Sequence, residues 1–108
     1  MDASAPNPFD EVFRLLTPSR LLNDPRARGQ GVRVCVIDTG VDRELIEQRM
    51  HARDIRIEPI RGGIFTSAGS EPAPYLGRHS APHGTTVADI ILTIAPCVEL
   101  WSADVFGP

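Results

Sequence analysis

The sequence predicts an α/β fold: a parallel sheet with flanking helices. Three observations predict it. Residues 32–37 form a nearly continuous run of β-branched and apolar side chains, the pattern of a strand covered on both faces. Two later stretches, 42–50 and 84–94, carry apolar residues at helical spacing. Strand-like runs alternate with them in the order helix, strand, helix, strand, loop, helix, strand, which is the order of parallel strands joined by right-handed crossovers.

The elements follow in turn. Residues 1–8 are polar and Pro-rich and read as an unstructured lead. Phe9, Val12, Phe13 and Leu16 fall on one helical face, so 9–16 reads as a short amphipathic helix. Pro18 and Pro25 bracket an irregular stretch that ends at Gly29-Gln30-Gly31. Residues 1–28 are therefore taken as an N-terminal extension and 29–108 as the body. The strand 32–37 runs straight into Asp38-Thr39-Gly40. The next helix, 42–50, turns Leu45, Ile46 and Met50 inward. Ile55-Arg56-Ile57 alternates and reads as a second strand, and 61–82, rich in Gly, Ser and Pro, as a long loop. In the helix 84–94 the stripe of Val87, Ile90, Ile91 and Ile94 is expected to be buried, with Thr86, Asp89 and Thr93 on the other face. Pro96 ends it, and 98–105 reads as a third strand.

Composition removes several classes of function. At 108 residues and 42% hydrophobic content the chain suits one small domain with a modest core. A net charge of −3 gives no electrostatic reason for a nucleic-acid partner or an anionic membrane surface. No apolar run reaches the roughly 18 residues that a membrane span needs, and no basic-then-apolar leader opens the sequence. A cytoplasmic setting is the expectation. Cys35 and Cys97 lie in or beside strands, without zinc-site spacing, and read as buried, reduced thiols.

Two residues stand out chemically. Asp38 sits at the carboxyl end of the strongest strand, where open α/β sheets build their sites. A carboxylate there can orient a histidine and stabilise it once protonated; the plain alternative is a turn leaving the strand. His83 opens a helix after a loop, and Gly84 beside it admits a substrate or a neighbouring backbone. Such a histidine can act as general base for a nucleophile elsewhere; the plain alternative is a solvated side chain.

The two segments together carry a resemblance. The stretch from Gly29 through Val36-Ile37-Asp38-Thr39-Gly40-Val41-Asp42 resembles the Asp motif of the subtilisin-like serine proteases, the subtilases of peptidase family S8. His83-Gly84-Thr85-Thr86-Val87-Ala88 resembles their His motif. The two occur in the family's order, 45 residues apart, and Ala95-Pro96 leading into Asp104-Val105-Phe106-Gly107 resembles the next piece. The resemblance covers roughly 29–107. It implies an incomplete subtilisin-like fold and serine endopeptidase ancestry, with hydrolysis of peptide bonds in a peptide or protein substrate by an Asp-His-Ser triad. In it Asp38 orients the imidazole and His83 relays the proton. The family's nucleophile segment, Gly-Thr-Ser-x-Ala/Ser-Pro, and its oxyanion-hole Asn do not occur in these 108 residues, so residues 1–108 alone are expected to be inactive. Ser67, Ser70, Ser80 and Ser102 lie in no nucleophile motif. Calcium is the only ion the resemblance allows, with no site readable here, and no other cofactor is expected. Departures are Glu44-Leu45-Ile46 where the family has His-Pro, Asp89 where it has Gly, and Pro82 directly before His83.

Two other readings fit parts of the sequence. Val36-Ile37-Asp38-Thr39-Gly40 also fits the motif of homodimeric aspartic proteases, in which two Asp share a proton, but it leaves the His83 motif unexplained. A non-catalytic fragment, or one half of a split protein that binds a complementary chain, would explain the missing nucleophile, since a bare strand edge invites pairing. Gly29-Gln30-Gly31 precedes its strand, so it cannot cradle a pyrophosphate.

Overall fold

The computed structural model describes residues 7–17, 20, 23–67, 69 and 71–107. Most of the lead expected over 1–8, together with Pro18, Ser70 and Pro108, lies outside the described residues. The described part is a small α/β domain with three helices and a four-stranded, mostly parallel sheet.

The first helix, α1 (Pro8–Leu15), begins where the Asn7 side chain accepts from the amide of Phe9 and Pro8 supplies a preset φ. It buries none of its residues. Its apolar side chains Phe9, Val12, Phe13 and Leu15 are exposed. Strand β1 (Arg33–Asp38) follows, then α2 (Arg43–Ala52), whose N-cap Asp42 accepts from the amide of Leu45 at 3.0 Å. Strands β2 (Arg61–Ile64) and β3 (Ala73–Pro74) come next, then α3 (Pro82–Ile94) and β4 (Glu99–Asp104).

The sheet order is β1-β4-β2-β3. β4 pairs in parallel with β1 on one side and with β2 on the other, while β3 is antiparallel to β2. The sheet is thus mixed, not parallel throughout. The second strand also lies elsewhere than expected. Residues 55–57 form no strand, and Ile55 and Ile57 pack half-buried against the core as a connection. The strand is Arg-Gly-Gly-Ile, inside the stretch expected to be a loop. Its glycines are the physical reason: a Cβ on Gly62 would lie 2.1 Å from the carbonyl oxygen of Ser102 on β4. Only glycine permits that approach, and glycine carries no hydrophobic signal.

Both α2 and α3 cover one face of the sheet. The core there joins Val36 and Leu100 of the strands to Ile46 and Met50 of α2 and Ala88 and Leu92 of α3, with Val41, Ile60 and Val98 at its margins. The opposite face carries Cys35, Ile37 and Trp101; no helix covers it among the described residues, and Ile37 is 69% exposed while Trp101 is half-buried. β1 is therefore an edge strand bare on one face, not a central strand covered on both. Its Cys35 is exposed and Cys97 half-buried, so the expectation of two buried thiols fails; both are free.

The stripe on α3 is also displaced. Gly84, Thr85, Ala88 and Leu92 are buried, whereas Ile90 is 57% exposed and Ile94 exposed as well; Val87 and Ile91 are half-buried. The helix approaches the sheet through its small residues, which bring the two backbones close. On the flank facing α2, Asp89 receives Arg49 at 3.0 Å and Arg53 at 2.8 Å, and Arg53 also reaches Thr93. Partial burial works to raise the Asp89 pKa, but the two guanidinium groups outweigh it and lower it.

Leu92→Ala is expected to lower unfolding stability by about 3 kcal/mol through the cavity it opens. Ile90→Ala should change it by no more than about 0.5 kcal/mol. Urea-denaturation midpoints of the two variants check which face of α3 is the inner one.

Candidate active site

The site forms where the carboxyl ends of β1 and β4 meet the amino end of α3. Asp38 is the last residue of β1 and His83 the second residue of α3. The imidazole Nδ1 lies 2.8 Å from Asp38 Oδ2, and the other carboxylate oxygen, Oδ1, accepts the amide of Thr39 at 2.7 Å. Asp38 is half-buried and His83 has 72% of its side chain exposed. The two residues singled out in the sequence are thus in direct contact.

Partial burial works to raise the Asp38 pKa, but the Thr39 amide and the imidazole outweigh it and hold it below the ordinary aspartate value. An ionised carboxylate only accepts, so His83 Nδ1 carries the donated proton. In the neutral imidazole Nε2 then keeps its lone pair, and no described residue hydrogen-bonds it.

Two glycines bring these side chains together. Gly40, at φ +86°, turns the chain out of β1. A Cβ on Gly84 would sit 2.2 Å from the carbonyl oxygen of Gly40, so the neighbour that Gly84 admits is this backbone. Thr39 locks the contact. The N-cap of α3 is Ala81, which has no side-chain acceptor. The Thr39 hydroxyl takes that role from across the site, accepting the Gly84 amide at 2.9 Å and donating to the Ala81 carbonyl at 2.8 Å. Pro82 occupies the first helical position, where its missing N–H costs no hydrogen bond.

A second ring of contacts supports this one. Thr85, buried, accepts the Asp42 amide at 2.8 Å and meets His79 Nδ1 at 2.5 Å. The amide and hydroxyl of Ser80 both donate to the Thr39 carbonyl, at 2.7 and 2.9 Å. Tyr75 donates to the Val41 carbonyl at 2.5 Å, and burial pushes its pKa up to about 12. Sequence reasoning singled out none of Thr39, Thr85 and Tyr75 individually; Thr39 and Thr85 stood there only as motif neighbours. Ser80 is committed to Thr39, and Ser102 is buried and accepts the Val41 amide at 3.0 Å. Neither hydrogen-bonds His83. Among the described residues no three His, Cys, Asp or Glu side chains gather to hold a metal ion, and no helix is long and apolar enough to cross a membrane.

Comparison with models of protein families, with curated proteins and with solved structures found no match to this chain. The chemistry is therefore argued from the geometry: an ionised carboxylate fixes one imidazole nitrogen and leaves the other free to take and return a proton.

Because the Asp38 pKa is depressed on folding, its contribution to stability is present above the unfolded value, about 3.9, and is lost as pH falls through the lower folded value. Asp38→Asn should therefore be less stable than wild type near neutrality, with the gap closing on acidification. Urea midpoints across pH 2–7 (roughly the range that brackets carboxylate titration) check this, and a gap that widens toward low pH contradicts it. Gly84→Ala should destabilise by about 1–3 kcal/mol through overpacking. That sign opposes helix propensity, which favours Ala by about 1 kcal/mol, so a single thermal melt separates the two effects.

Proposed function

We propose that the chain supplies the Asp–His part of a serine endopeptidase charge-relay system, within an incomplete subtilisin-like fold. The observation that carries the reading is the 2.8 Å contact between His83 Nδ1 and Asp38 Oδ2, made by the two motif residues at the carboxyl end of a parallel strand and the start of a helix. In this reading Asp38 holds the imidazole in the Nδ1–H form. His83 Nε2 takes the proton from an attacking serine hydroxyl and returns it to the leaving amine, and Asp38 stabilises the imidazolium between these steps. Ser80 and Ser102 are engaged elsewhere and Ser67 lies in no nucleophile motif, so this reading takes the attacking hydroxyl from a segment other than these. The substrate is a peptide bond.

The geometry gives less support to an aspartic protease. Asp38 meets a histidine at one oxygen and a backbone amide at the other, and the aspartic-protease reading gives that histidine no role. A second reading, a half that docks a complementary chain, has a specific observation in its favour. Among the described residues, β1 has a free edge beside an apolar face on which Cys35 and Ile37 are exposed and Trp101 is half-buried, with Phe65 and Phe106 also exposed. The two readings are compatible, because a docked chain is a route by which the nucleophile arrives.

The 108-residue chain alone should show no hydrolysis of casein or chromogenic peptides and no labelling by a fluorophosphonate probe. Reading the coding DNA beyond codon 108 and in adjacent genes for Gly-Thr-Ser-x-Ala/Ser-Pro identifies the segment to co-express. The combined protein should cleave peptides in a serine-type reaction, and kcat should fall by roughly four orders of magnitude in Asp38→Ala and by roughly six in His83→Ala. Activity retained in Asp38→Ala refutes the role given to it, and a rate from the 108-residue chain alone that vanishes in His83→Ala refutes the need for an outside nucleophile.

A further inference from the structure

Asp104 closes β4, and no step above uses its side chain. It is 5% exposed, and no described cation pairs with it. A buried carboxylate is costly unless N–H or O–H groups satisfy it. Its Oδ1 accepts the amides of Phe106 at 3.0 Å and Gly107 at 3.1 Å, and lies 3.4 Å from the Ser80 hydroxyl. Its Oδ2 lies 3.1 Å from where a Cβ on residue 40 would stand, so the bare α-carbon of Gly40 makes room for it. A local turn accounts for the two amides, since an Asp commonly accepts from residues just ahead of it. It does not account for the loop before His83 and the turn after Asp38 meeting at the same carboxylate.

We propose that Asp104 is a positioning residue for the Asp38–His83 pair. The proposal rests on the reading of that pair as a proton relay. Asp104 and Asp38 are register partners at the ends of adjacent parallel strands. The turn that Asp104 organises begins at Val105, whose amide donates to the Asp38 carbonyl at 3.0 Å. Toward His83 the path runs through Ser80. Its hydroxyl has the Thr39 carbonyl as main acceptor and Asp104 as a second, longer one, and Thr39 in turn caps α3. Asp104 therefore fixes the strand end that carries Asp38 and steadies the loop that delivers His83. It does so as a hydrogen-bond acceptor, so Asn can replace it and Ala cannot.

The test reads the His83 ring directly in the 15N-labelled 108-residue chain. Long-range proton–nitrogen correlation shows which ring nitrogen carries the proton. Wild type should show the Nδ1–H form that Asp38 imposes. Asp104→Ala should shift His83 toward the Nε2–H form that a free imidazole prefers, Ser80→Ala should shift it part of the way, and Asp104→Asn should leave it as in wild type. Asp89→Asn, which weakens the link between α2 and α3, should not move it, and this separates positioning from general loosening. A folded Asp104→Ala chain with wild-type His83 overturns the proposal, as does Asp104→Asn shifting as far as Asp104→Ala. If Asp104→Ala does not fold, Ser80→Ala decides, and an unshifted His83 there overturns it. A wild-type chain without the Nδ1–H form refutes the pair itself and the proposed function with it. Failure of the co-expressed protein to cleave peptides refutes the function and leaves the tautomer result standing.

Discussion

The carbonyl oxygen of Gly40 rests against the α-carbon of Gly84, so closely that a methyl group on residue 84 would lie 2.2 Å from it. The geometry of the site depends on this contact. It sets how near the turn leaving β1 can come to the first turn of α3. Once the two backbones touch, the Thr39 hydroxyl can bridge them, and the side chains projecting on either side, Asp38 and His83, are within hydrogen-bond reach. Bulk on Gly84 would separate the acid from the base before it touched any chemistry, whereas bulk on Gly40 would press on the Arg78 carbonyl and the Asp104 carboxylate. The left-handed φ of Gly40 is a second demand on the same point, since other residues adopt it only at a cost.

The layers explain why the contact holds. α3 meets the sheet through Gly84, Thr85, Ala88 and Leu92, which are small where the helix is nearest and larger where it has room. α2 then braces α3 from the side through Arg49 and Arg53 on Asp89. In the family that the motifs resemble, position 89 is usually Gly. The aspartate does not disturb the inner face of the helix, because it sits on the flank and finds two arginines there. Exposed ion pairs contribute little individually. This pair of contacts shares one half-buried carboxylate and ties the flank of α3 to α2, more than a turn along the helix from His83.

Much of this was legible in the sequence, and what was not has a physical reason. The helices over 8–15, 43–52 and 82–94 lie within about two residues of the spans that periodicity gives, which is the usual uncertainty of helix ends. Asp38 and His83 were legible because a short carboxylate-bearing turn and a glycine-flanked histidine keep their character in one dimension. The strand at Arg61–Ile64 was not, because its defining residues are glycines whose role is to admit the Ser102 carbonyl. The inner face of α3 was misread because hydrophobicity ranks Ile90 and Ile94 above Ala88 and Thr85, whereas close packing ranks them the other way. The parts played by Thr39, Ser80 and Asp104 exist only once three loops are side by side, and no spacing along the chain encodes that.

The free edge of β1 has a consequence for timing. Asp38 ends the strand on that edge, so a parallel strand added there brings its own carboxyl end alongside the carboxylate and the imidazole. Joining the sheet and arriving beside the Asp38–His83 pair are then one geometric event. Strand pairing there would follow the kinetics of encounter: second order when the incoming strand belongs to a separate polypeptide, and first order, independent of concentration, when a linker tethers it.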